Sequence, residues 1–79
     1  SFYYFSIKKI EEKTSPKQGI KYYKLTLSDG FGTKTVNMWS KMYDNVKGVL
    51  APGCYYITKF MKQKGFLSFN ASAPFRKVS

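Results

Sequence analysis

The sequence predicts an all-β protein, a small barrel of five strands with one short helix between the third and fourth. Three observations carry this. Apolar and polar residues alternate through 20–28 and again through 33–39, the pattern of strands with one face buried. Turn residues punctuate the runs at 14–19, 29–32 and 63–65. In one stretch alone, 40–50, the apolar residues fall four apart instead.

The elements follow in order. Residues 2–12 are rich in Phe, Tyr and Ile and read as a first strand, closed by the loop Thr14-Ser15-Pro16-Lys17-Gln18-Gly19. In 20–28, Tyr23, Leu25 and Leu27 share the face expected inside, and Tyr22, Lys24 and Thr26 share the other. Asp29-Gly30-Phe31-Gly32 supplies a tight reversal, since glycine takes the positive φ that a hairpin needs. In 33–39, Lys34, Val36 and Met38 fall on one side and Thr33, Thr35, Asn37 and Trp39 on the other. Met42, Val46 and Leu50 then mark a helix over 40–50. Ser40 is placed to cap it, Asp44 lies toward its positive end, and Ala51-Pro52-Gly53 stops it. Gly48 weakens that helix by about 1 kcal/mol against Ala, so it must lean on tertiary packing. Cys54 to Lys62 reads as a fourth strand, Gln63-Lys64-Gly65 as a turn, and Phe66 to about Ser72 as a fifth. Residues 73–79 read as a basic exit segment from a single domain, 1–79, with its core in about 2–72.

This β-β-β-α-β-β order is the connectivity of the OB-fold, a partly open Greek-key barrel; an SH3-like barrel is the rival, and it normally lacks a helix at this point. Leu25-Thr26-Leu27-Ser28-Asp29-Gly30-Phe31-Gly32, then Val36-Asn37-Met38-Trp39-Ser40, then Leu50-Ala51-Pro52-Gly53 resemble the anticodon-type OB family. The likeness spans about residues 4–70. It extends to the OB modules of bacterial and phage replicative DNA polymerase alpha subunits and to the anticodon-binding domains of class II tRNA synthetases. The resemblance implies nucleic-acid binding. Lys24 and Thr35 depart from the synthetase pattern, which has an aromatic residue and Gln there, and point to binding with little sequence preference.

Charge agrees. Fourteen Lys and Arg against four Asp and Glu give +10, spread over both halves rather than gathered in a tail. Aromatic residues at 19% interleave with the lysines, a composition suited to a polyanion with stackable bases. With 43% hydrophobic residues the chain can bury a core, although a domain this small buries only about 60% of its unfolded surface. The absence of His and the single Cys54 leave no ordinary zinc ligand set and no internal disulfide. Glu11 and Glu12, adjacent on a strand, point apart, and Cys54 at the start of an apolar strand is expected to be buried and inert, so no catalytic set assembles. Neither cofactor nor metal is expected. No signal peptide or run of about 18 apolar residues is present, which points to a cytoplasmic or nucleoid-associated setting rather than secretion. The first residue is Ser rather than Met, as in a domain cut from a longer chain or one carrying a tag remnant.

The expected binding face is the outward side of the second and third strands: Tyr22, Lys24, Thr26, Thr35, Asn37 and Trp39. Two rings to stack on, one cation and three small polar groups suit bases without reading them. Lys13, Lys17 and Lys21 in and beside the first loop, with Lys62 and Lys64 at the last turn, would meet phosphates. Two placements are open for Trp39: outward by alternation, or a plug in the barrel end if a bulge in the third strand reverses the alternation. The expected partner is single-stranded DNA, ahead of RNA, in a replication or repair protein. The alternative is an interaction module that positions other domains or takes an acidic peptide.

Overall fold

The computed structural model describes residues 2–51 and 53–78; Pro52, the middle of the predicted helix stop, lies outside them with Ser1 and Ser79. Strands β1 (Tyr3–Thr14), β2 (Lys21–Ser28) and β3 (Thr33–Trp39) lead into helix α1 (Ser40–Val46). Strands β4 (Tyr55–Thr58), β5 (Phe60–Gln63), β6 (Phe66–Phe69) and β7 (Arg76–Lys77) follow. All join one sheet ordered β5-β6-β3-β2-β1-β4-β7, antiparallel throughout except where β3 runs parallel to β6. The sheet curls into a half-barrel, and a single residue, Lys59, joins β4 at one side to β5 at the other. No helix among the described residues is long and apolar enough to cross a membrane.

Seven strands stand where five were predicted. Lys59 breaks the predicted fourth strand into β4 and β5, the predicted fifth ends at Phe69 as β6, and β7 lies within 73–79, the segment read as an exit. Both β6 and β7 lie antiparallel along the same run, but Phe60 faces Phe69 while Ile57 faces Arg76, so the second strand carries four extra residues. Those residues make a turn in which the Ser72 N–H donates to Asn70 Oδ1 at 2.9 Å and the Ala73 N–H to the Asn70 carbonyl at 3.0 Å. Pro74, which cannot donate to a ladder, presents its carbonyl to the Thr58 hydroxyl at 2.8 Å. Phe75 packs against the core beside Phe5, Tyr56 and Phe69. The segment read as a basic exit is therefore part of the barrel, and the core reaches past residue 72.

The core is Phe5, Ile7, Leu25, Leu27, Val36, Met38, Tyr56 and Phe69. Its β2 and β3 members are the inward sets that period two assigns. In β1 the core residues are Phe5 and Ile7; the register slips between Ile7 and Lys9, leaving Lys8 as the extra residue of a bulge and setting the exposed Ile10 opposite Leu25. The helix is shorter than the predicted 40–50. It ends at Val46, and a looser turn carries Val49 and Leu50, whose N–H groups donate to Val46 and Lys47 carbonyls at 2.9 and 3.3 Å. Gly48 in that turn is the residue that weakens the helix. The predicted cap is also corrected: β3 stays extended through Trp39, so Trp39 holds the N-cap position without a side-chain bond and Ser40 is already helical. Asp44 falls past the first turn and pairs with Lys47 at 3.9 Å. Tyr43 holds the helix to the sheet by stacking on Tyr23, ring centroids 3.7 Å apart.

Candidate functional site

Hairpin geometry builds the expected face directly. The Asp29 carboxylate accepts from the Phe31 and Gly32 N–H groups at 2.9 and 3.0 Å, and Gly30 adopts φ 91°. That turn sets a register in which Tyr22 lies opposite Trp39, Lys24 opposite Asn37 and Thr26 opposite Thr35. The six predicted side chains are thus three neighbouring cross-strand pairs on one side of the sheet, within direct reach of one another. Trp39 is 37% exposed and outside the core cluster, so it lies on the face and does not plug the barrel. The bulge falls in β1 rather than in β3, and the alternation through β3 is intact.

Phe66, at the start of β6, completes the site and was not among the expected residues. Its ring meets Trp39 edge-on at 6.2 Å, while Tyr22 meets Trp39 from the other side at 5.6 Å. Tyr22, Lys24, Thr35 and Asn37 form one wall of an open groove; Lys62, Gly65, Phe66 and Leu67 from the β5–β6 hairpin form the other. A second depression is lined by Trp39, Lys41, Met42, Asn45, Phe69 and Ala71. Trp39 lines this depression, and its ring meets Tyr22 and Phe66 of the first groove. Three rings in a row, with cations beside them, can stack flat ligands and neutralise anions along the same line.

The lysines divide. Lys62 lines the groove. Lys17 is exposed in the β1–β2 loop and Lys64 in the β5–β6 turn, and neither lines the groove. Lys21 does not belong to the face: one residue before Tyr22, it projects from the opposite side of the sheet and pairs with Glu12 at 2.8 Å. The Glu12 carboxylate holds its pKa above the usual lysine value, first by the hydrogen bond and then by its charge. Glu11 and Glu12 do point apart, Glu11 to Lys9 and Lys13 and Glu12 to Lys21. Cys54, expected to be buried, is half-buried against the core. No family model, curated protein or solved structure matches this chain.

Proposed function

We propose that this chain is an OB-type barrel that binds single-stranded nucleic acid, DNA ahead of RNA, with little sequence preference, as a module of a replication or repair protein. One observation carries the reading: the Tyr22–Trp39, Lys24–Asn37 and Thr26–Thr35 pairs stand as neighbouring rungs, with Phe66 and Lys62 facing them across a groove. Stacking tolerates any base because each has a π-face, and short Thr and Asn side chains add hydrogen bonds without a rigid code. Sheet order supports the fold assignment. The three-strand meander, the parallel contact from β3 to β6 and the return of β4 to β1 are what OB connectivity requires. A duplex would find less here, since the only helix among the described residues has seven residues and carries one lysine, Lys41, with Lys47 at its cap.

The test is a titration of fluorescently labelled twelve-residue oligo(dT) against a duplex of equal length. The single strand should bind about tenfold or more tightly, the gain expected from one or two stacked bases. Equal or tighter duplex binding overturns the proposal. The interaction-module reading, expected on the same β2–β3 face, gains a second surface, where Phe2, Tyr4, Tyr55 and Val78 are exposed beside Arg76 and Tyr4 stacks on Tyr55 at 5.0 Å. Tyr4→Ser with Tyr55→Ser should leave oligonucleotide affinity unchanged; if it abolishes binding, the ligand sits on this second surface and the β2–β3 face is not the site.

A further inference from the structure

We propose that the binding face continues onto β1 as a track for backbone phosphates made by Lys9 and Lys13, and that Glu11 occupies this track until a phosphate displaces it. The inference rests on the single-strand reading above. Register places Lys9 beside Thr26, Glu11 beside Lys24 and Lys13 beside Tyr22, so the three rungs of β2 and β3 extend across a third strand. The bulge makes this possible. Continued alternation from Ile7 would set Lys9 opposite Leu25 and aim it at the core; the extra residue, Lys8, returns Lys9, Glu11 and Lys13 to the outward side.

On that side two ammonium groups converge on one oxygen. Glu11 Oε2 lies 3.7 Å from Lys9 Nζ and 3.8 Å from Lys13 Nζ. Two cations around a single anionic oxygen is the arrangement a phosphodiester oxygen also meets, and Glu11 stands in its place. Both contacts are longer than a tight charge-assisted hydrogen bond of about 2.8 Å, whereas the Lys21–Glu12 pair reaches that length. Loose, exposed pairs contribute little, so exchanging the carboxylate for a phosphate costs little. Glu11 thereby lowers affinity and holds the two lysines in place for the incoming strand.

Glu11→Gln and Glu12→Gln separate this from bulk charge, because each removes one negative charge from the same strand, on opposite sides of the sheet. Affinity for the labelled oligo(dT) is measured for both variants and the parent across a series of salt concentrations. Glu11→Gln should tighten binding about three- to tenfold. The log–log salt slope should change by less than about one unit, since the same two lysines meet phosphates in both complexes. Glu12→Gln should change affinity less than about twofold. Adding Lys9→Ala and Lys13→Ala to Glu11→Gln should remove the gain. If Glu11→Gln matches Glu12→Gln, or if its gain survives loss of both lysines, the track is wrong and the single-strand reading stands. If neither the parent nor any variant binds the oligonucleotide, both fall.

Discussion

Trp39 stands where β3 gives way to α1, with Tyr22 across from it and Phe66 at its edge. A ring 37% exposed and outside the core is expected to matter more to the proposed oligonucleotide binding than to the fold. Trp39→Ala should lose about 1–3 kcal/mol of oligonucleotide binding. Its melting midpoint should stay close to the parent's, and the parent's tryptophan fluorescence should be quenched as oligonucleotide is added. A large fall in stability with fluorescence indifferent to ligand would mark the ring as structural instead. Tyr22→Ala and Phe66→Ala should each weaken binding in the same range. Tyr56 makes the opposite case. It is fully buried, and its hydroxyl accepts from the Ala51 N–H and donates to the Val49 carbonyl, each at 2.7 Å, tying the segment after the helix to the core. Tyr56→Phe should cost about 1–3 kcal/mol of stability by leaving those backbone groups unpaired, with oligonucleotide affinity unchanged. Chemical denaturation of the unliganded protein measures it.

Among the elements, the β2–β3 hairpin positions the site, and its turn has a pH signature. Hydrogen bonds from the Phe31 N–H, and next from Gly32, hold the Asp29 carboxyl below its ordinary value of 3.8. A carboxylate with a depressed folded-state pKa stabilises the fold fully above its unfolded value, and that contribution fades as pH falls through the folded one. The stability difference between the parent and Asp29→Ala should therefore be constant near neutrality and shrink as pH drops below 3.8. Thermal melts at stepped pH would follow it; a difference that grows on acidification contradicts the assignment. The same turn holds Phe31 99% exposed, so Phe31→Ser should leave stability within about 0.5 kcal/mol. Period two located this hairpin, its turn and its two faces because every rung joins residues close in sequence. The β1 bulge was less legible: Ile7 and Ile10 three apart are its trace, and in isolation that spacing also suits a helix.

Over the whole molecule, a net charge of +10 acts on any polyanion approaching the grooved face. With about three to five phosphates neutralised, log affinity against log salt should fall with a slope of roughly −2 to −3.5 on a single strand. Lys24→Ala should flatten it by less than about one unit while leaving base preference alone. A slope near zero would assign the charge to some other partner. Leu25, completely buried at the centre of the sheet, should cost about 2–5 kcal/mol as Leu25→Ala and unfold much of the population. The all-β class, the place of the helix and the outward sets Tyr22, Lys24, Thr26 and Thr35, Asn37, Trp39 were legible in the sequence, because alternation and turn chemistry act over a few residues. Packing set the rest: Phe66 completes the ring cluster, Lys21 leaves the face for Glu12, the predicted fourth strand breaks at Lys59, and 76–77 adds a strand beyond the predicted fifth. Each of these depends on segments far apart in the chain meeting around one core. Local periodicity holds no record of which distant side chain will fill the space beside it.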